Sequence, residues 1–162
     1  LIGGYPLHLS ISFEGQADYY STAKCLRIFQ EQFDIQTNTS DHTPEVVRTC
    51  SSLVNENGDP VSHPDKIRTC EVSLIGAKSA AAFYFDLEGG LFTPSLDASD
   101  PAQVTETIRH HPKAQCRLDT MKAGALCPVS SDIEFGEVDG REGACHSNWF
   151  PFHARPSCWY AE

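Results

Sequence analysis

Seven cysteines carry most of the chemistry available to this 162-residue sequence. No two of them form a Cys-x-x-Cys pair, so neither a zinc knuckle nor a thioredoxin-like redox pair is expected. Cysteines scattered in this way are typical of a disulfide framework, which persists in oxidising compartments. Cys25 is taken as the odd, unpaired cysteine, and the disulfide candidates are Cys50, Cys70, Cys116, Cys127, Cys145 and Cys158.

Cys25 is also the candidate nucleophile of an enzyme hypothesis, in which it would act with a histidine in a secreted hydrolase. A nucleophilic thiolate needs a lowered pKa, which a helix N-terminus or a protonated histidine supplies. Cys25 lies about two turns into a predicted helix, beyond the reach of the helix dipole. No P-loop, Gly-x-Gly-x-x-Gly, Gly-x-Ser-x-Gly or His-Glu-x-x-His motif occurs. We therefore assign no catalytic residue and favour a non-enzymatic function.

Histidines and acidic residues suggest two further sites, both for metal ions. For each, an explanation without a metal is favoured. His146 and His153 lie near Cys145 and Cys158, a mixed Cys/His set that could hold zinc, although disulfides compete for the sulfurs. The acidic stretch 132–142 has oxygen ligands suited to calcium but lacks EF-hand spacing, so a solvated loop is favoured. We expect no metal and no cofactor.

An aromatic tail is the most unusual composition in the chain. Rigid aromatic rings with an arginine among them favour binding, because they provide large contact area at low entropic cost. Such a surface would suit an apolar ligand, a sugar ring or a partner chain; the alternative is that the tail covers the open face of a sheet. The candidate binding residues are Trp149, Phe150, Phe152, Arg155, Trp159 and Tyr160.

Compartment and partner class follow from charge and from one sequon. Asn38-Thr39-Ser40 is an N-glycosylation sequon in a polar stretch, which together with the cysteines predicts a secreted or extracellular glycoprotein. A formal net charge of −10 argues against nucleic acid as a partner. No run of 18 or more apolar residues occurs, so no membrane span is predicted.

The elements that must position these residues begin with a strand and a helix. Residues 5–13 alternate apolar and polar side chains, the pattern of a half-buried strand. Residues 18–33 have the spacing of an amphipathic helix, with Lys24 and Arg27 on the polar side. The apolar stripe of that helix is Tyr19, Ala23, Leu26, Phe29 and Phe33.

A short sequence echo predicts two antiparallel strands in the next part of the chain. Residues 47–50 and 67–70 end in the same Arg-Thr-Cys, and Asn57-Gly58-Asp59-Pro60 between them is a strong turn signal. In a hairpin centred on that turn, Cys50 faces Cys70, so a cross-strand disulfide is one option. The alternative is a shifted register in which each cysteine pairs elsewhere.

The rest of the sequence predicts one more strand and one more helix. Residues 113–162 show no regular apolar pattern. Residues 79–87 alternate as a strand would, and Asp100-Pro101 has the signals of a helix start. The expected fold is α+β: an antiparallel sheet with one main helix packed on a face and an irregular, disulfide-stapled C-terminal segment. We expect a single domain over 1–162, with an α+β body at 1–112 and a Cys- and aromatic-rich tail at 113–162.

The function that these features favour is a secreted, non-enzymatic domain that binds a ligand or partner chain or serves in extracellular assembly. The odd cysteine and the aromatic tail motivate this hypothesis, and a homo-oligomer is compatible with it. The alternative is a secreted hydrolase that uses Cys25 with a histidine, or a metal site near His146 and His153.

Overall fold

The structure is a computed structural model that describes residues 13–33, 35–134, 141–148, 150–151 and 153–161. Its helical elements are α1 (Glu14–Tyr20), a π-helical turn (Ser21–Cys25), α2 (Leu26–Gln32), a 3₁₀ turn (Thr39–Asp41), α3 (Pro44–Cys50), α4 (Pro64–Glu88) and α5 (Ala114–Leu126). The first three run on without a break, so residues 14–32 form one helical rod.

The predicted α+β fold is wrong, because no β-strand occurs among the described residues. An isolated bridge between Val54 and Pro60 is what remains of the expected hairpin, although the turn between them forms, with Gly58 at φ 84°. The segments predicted as strands are helical: residues 47–50 belong to α3, and residues 67–70 and 79–87 belong to α4. The first predicted strand, at residues 5–13, lies outside the described residues except for Phe13.

Helix α4 shows why short sequence windows wrongly predicted strands in this part of the chain. Its buried residues recur at the three- and four-residue intervals of a helical face, which becomes evident only across the whole helix. The alternation of Phe83 and Leu87 with polar residues is not a sheet face, since these side chains are 60% and 69% exposed. Gly89 ends the helix at φ 62°, and the Gly90 N–H donates to Phe85 O at 3.1 Å, a left-handed cap.

The helix predicted at 18–33 is present, but its buried face differs from the prediction. Tyr19 and Ala23 are buried as expected, whereas Phe29 and Phe33 are 55% and 56% exposed. The π-helical turn has more residues per turn than an α-helix, so every side chain after it is rotated relative to a regular helix. The apolar stripe predicted with a regular 100° per residue therefore does not mark the buried face after Cys25.

The C-terminal third was predicted to be irregular, and α5 contradicts this. The helix is surrounded on all sides, with most of its residues buried, including Arg117 and Thr120. It therefore lacks the one-sided apolar pattern by which helices are detected. The helix predicted from Asp100 is also wrong: the Val104 N–H instead donates to Ser157 O at 2.9 Å, so this segment pairs with the tail.

Three disulfides tie these elements together. Cys50–Cys70 joins α3 to α4, so the pairing that the echo suggested does occur, but between helices rather than across a hairpin. Cys116–Cys158 joins α5 to the tail, and Cys127–Cys145 joins the end of α5 to the loop before the tail.

The rod 14–32 runs parallel to α5, and α4 runs antiparallel to both. Along the rod, Asp18 contacts Arg117 at 2.8 Å and Thr22 Oγ1 donates to Met121 O at 2.7 Å. At the other side of α5, the Ala114 N–H donates to the Glu88 carboxylate at 3.2 Å. The principal core lies between α3, α4 and α5: Val46, Cys50, Leu53, Cys70, Leu74, Ala77, Ala81, Leu96, Leu118, Met121, Ala125 and Leu126.

Gly124 sets how closely the rod and α5 approach each other. A Cβ atom at this position would lie 2.4 Å from Tyr19 O and 2.5 Å from Thr22 Oγ1. The two backbones can therefore reach this separation only because residue 124 has no side chain.

We expect Gly124→Ala to lower the free energy of unfolding by about 1–3 kcal/mol, because the backbone of the rod must move away. Gly76→Ala is the matched control, since Gly76 lies in α4 with open space around its Cβ position. There the substitution should stabilise by about 0.5–1 kcal/mol through helix propensity. Urea unfolding followed by circular dichroism measures both, and equal effects at the two positions would contradict this packing.

Candidate functional site

Cys25 is exposed and unpaired, while the other six cysteines form disulfides. It is the last residue of the π-helical turn, whose preceding residues are anchored inward. Thr22 donates to Met121 O at 2.7 Å, and the Lys24 ammonium donates to Ser130 O and, at 2.9 Å, to Ile133 O. With these side chains held inward, Cys25 lies on the outer side of the rod.

Apolar side chains continue from Cys25 along the same side of α2. Ile28 follows at i+3 and Phe29 at i+4; Phe33 is the extended residue just after α2, and its ring centroid lies 5.5 Å from that of Phe29. These three side chains are among the exposed large apolar residues of the described chain, at 39% to 56% exposure. We call Cys25, Ile28, Phe29 and Phe33 the Cys25 face. A contiguous apolar patch of this kind is typical of an interaction surface.

Two of the histidines open to the hydrolase hypothesis have carboxylate partners. His42 Nδ1 lies 3.1 Å from Glu71 Oε2, and His111 Nδ1 lies 3.3 Å from Glu14 Oε1. His111 lies outside the helices.

The cysteine sulfurs of the proposed zinc site are already bonded in disulfides. Cys145 is bonded to Cys127 and Cys158 to Cys116. Over the ranges that the structure describes, no group of three His, Cys, Asp or Glu side chains is arranged to hold a metal ion. Residues 135–140 of the acidic stretch lie outside those ranges.

The described part of the aromatic tail packs mainly inward. Trp159 is 0% exposed and rests on Gly15, where a Cβ atom would lie 2.3 Å from the indole ring. Phe150 is half-buried and stacks on His153 with 6.2 Å between ring centroids. Trp149 and Phe152 lie outside the described residues.

Arg155 and Tyr160 complete the tail, and they form a pair. Arg155 is buried, and its guanidinium carbon lies 4.1 Å from the centroid of the half-buried Tyr160 ring, a cation–π contact. Asn38 of the sequon is exposed, and its carbonyl accepts a hydrogen bond from the Asp41 N–H at 3.0 Å.

Lys24 and Arg27, which the sequence placed on a polar face, instead bond backbone carbonyls at the end of α5 and in the loop after it. The Arg27 guanidinium donates to four carbonyl oxygens at the end of α5 and just beyond it: Gly124 at 3.1 Å, Ala125 at 3.0 Å, Cys127 at 2.6 Å and Val129 at 3.1 Å. Carbonyls at a helix C-terminus lack partners and carry partial negative charge, so a cation there is stabilising. No local sequence signal reveals this, because donor and acceptors are about 100 residues apart.

No protein-family model matches the chain, and neither a curated protein nor a solved structure matches it. None of the helices among the described residues, including the 25-residue α4, has the length and apolarity needed to cross a membrane. The functional argument therefore rests on the residues of this chain.

Lys24, beside the thiol, predicts how stability depends on pH. Burial lowers the pKa of Lys24 from its ordinary 10.5 to about 8. Between those values the unfolded chain binds a proton that the native chain does not, so stability rises with pH. Burial also raises the pKa of Tyr19 and of Tyr20 to about 12, so above pH 10 the unfolded chain loses protons that the native chain keeps. Stability should therefore rise from pH 8 and fall again above pH 10.

We expect the rise to be about 1–2 kcal/mol in urea unfolding of a Cys25→Ser background, which prevents thiol–disulfide exchange. Lys24→Met should abolish the rise and keep the fall. A stability that is flat or falling between pH 8 and pH 10 with Lys24 present would contradict the burial of its ammonium group.

Proposed function

We propose that this chain is an extracellular, non-enzymatic assembly module that binds a second copy of itself through the Cys25 face. The single observation that carries the proposal is the unpaired, exposed Cys25 one helical turn before exposed Phe29, whose ring lies beside that of exposed Phe33. The four residues of the face carry no charge, so covering them removes apolar surface from water without desolvating an ion.

A second copy suits this face because a two-fold interface brings the same patch together from both sides. Two rods that cross at Cys25 would place thiol against thiol, with the phenylalanine rings of each copy covering the other. A two-fold contact also limits the assembly to two chains, because the Cys25 face of each copy is then covered and cannot bind a third chain.

The covalent step is ordinary thiol–disulfide exchange with a small-molecule disulfide as oxidant. The thiolate of one Cys25 attacks the external disulfide, which forms a mixed disulfide and releases one small thiol. The thiolate of the second Cys25 attacks the protein sulfur of that mixed disulfide and releases the second small thiol. Two protein thiols are oxidised and one external disulfide is reduced. The three internal disulfides support this chemistry, since they are compatible with an oxidising compartment.

The setting of Cys25 favours assembly over the hydrolase alternative. Its neighbours on the outer side of the rod, Ile28 and Phe29, provide no general base, whereas a nucleophilic thiol needs one within hydrogen-bond reach. The ammonium of adjacent Lys24 points away from it to Ser130 and Ile133.

Under oxidised glutathione we expect a dimer of about twice the 17.8 kDa chain on non-reducing electrophoresis. Cys25→Ser should remove the covalent dimer and keep a reversible one in sedimentation velocity. Phe29→Ser should weaken that reversible dimer about tenfold or more, because it removes a central apolar contact.

Phe83→Ser is the matched control, since Phe83 is equally exposed but lies on α4. It should leave the dimer unchanged. A chain that stays monomeric at high concentration and accumulates only the glutathione adduct of Cys25 would refute the proposal, as would an equal loss of dimer in Phe83→Ser.

A further inference from the structure

A cleft lies between α5, the loop at residues 99–100 and the tail. Its volume is about 480 Å³, within the range of small-molecule sites. The lining residues on which its chemistry depends are Ser99, Asp119, Lys122, Ser147, Ser157 and Tyr160. These residues come from four separate stretches of the chain.

The charged groups of the cleft are fixed in place yet keep bonding capacity. Asp119 accepts hydrogen bonds from the Asp100 N–H at 2.7 Å and from Gln115 Nε2 at 2.8 Å, which leaves a lone pair on each carboxylate oxygen. Lys122 donates to Leu96 O at 2.7 Å, and an ammonium group has three donors. An acceptor and a donor of fixed position therefore line the same wall.

The opposite wall is preformed by the tail. Tyr160 is held by the guanidinium of Arg155, which also lines the cleft and lies 4.1 Å from the ring centroid, and by its own N–H, which donates to Pro156 O at 3.2 Å. The Cys116–Cys158 disulfide fastens this segment to α5. A ligand would therefore meet an ordered aromatic ring, and little entropy would be lost in ordering the wall.

The composition of the lining selects the ligand class. Asp100 and Asp119 balance Lys122 and Arg155, so the cleft has no net charge to attract a phosphate or a polyamine. Its aliphatic members, Ala123 and Ala154 with two prolines, are small, and Tyr160 adds an aromatic ring. The serine hydroxyls both donate and accept, which suits a ligand whose own groups do the same.

We propose that this cleft binds a neutral sugar ring. A sugar hydroxyl can donate to the Asp119 carboxylate and accept from the Lys122 ammonium at the same time, which neither a pure donor nor a pure acceptor can do. The ring of Tyr160 provides a surface for the apolar C–H face of the sugar. The exposed hydroxyls of Ser99 and Ser157 can pair with the remaining sugar hydroxyls.

The sugar cleft and the Cys25 face rest on different observations. The cleft is built from α5 and the tail, whereas the Cys25 face lies on the rod. A Cys25→Ser chain should therefore bind sugar as well as the wild type, and failure of either proposal leaves the other standing.

The test is saturation-transfer NMR on the full chain with a panel of neutral methyl glycosides at millimolar concentration, and with glycine as a zwitterionic rival. We expect transfer to at least one glycoside. Asp119→Asn should weaken binding at least about tenfold, since a charged hydrogen bond is lost. Asp97→Asn is the control, because Asp97 is an exposed carboxylate paired with Arg48; it should bind as the wild type does.

Ala154→Phe provides a second test in case the Asp119→Asn chain fails to fold. It fills the cleft from its wall and leaves the hydrogen bonds of Asp119 intact, so it should abolish transfer while circular dichroism stays native. Transfer to no glycoside would overturn the proposal, and so would unchanged transfer in a natively folded Ala154→Phe chain. Transfer to glycine alone would show that the cleft binds zwitterions, and would overturn the assignment to sugars.

Discussion

The parallel contact between the rod 14–32 and α5 is the constraint on which the other features depend. Parallel helices place like ends of their dipoles side by side, which is unfavourable unless charges compensate. At one end, buried Arg117 lies 2.8 Å from Asp18 and 2.9 Å from Glu14. At the other end, Arg27 bonds the terminal carbonyls of α5. Between them Gly124 allows the backbones to touch, so the contact is neutralised at both ends and close-packed in the middle.

This contact determines what faces solvent. Because Thr22, Lys24 and Arg27 are directed into α5 and the loop after it, Cys25 and the phenylalanines of α2 are left on the outer side of the rod. On its other flank α5 carries Asp119 and Lys122, and the Cys116–Cys158 disulfide brings the tail over that flank. One buried helix thus supports the proposed assembly face and one wall of the proposed sugar cleft.

Much of the chemistry could be predicted from the sequence, but little of the fold. The odd number of cysteines and the absence of Cys-x-x-Cys pairs predicted disulfides, and three are present. The strand predictions failed because windows of five to nine residues in 67–87 match both periodicities, and only the 25-residue span of α4 separates them. Helix α5 was missed because a helix buried on every side shows no one-sided pattern.

The sequence by itself determined the acidic charge, the cysteine inventory, the turn near Gly58 and the helical character of residues 18–33. Those features depend on composition or on neighbours a few residues apart. Only the tertiary structure decided that Trp159 is core, that Arg27 caps α5 while Lys24 bonds the loop after it, and that Cys25 is exposed. The reason is that side-chain direction depends on burial against distant partners. The π-helical turn rotates the downstream face of the rod, and the carbonyls that Arg27 bonds lie about 100 residues away.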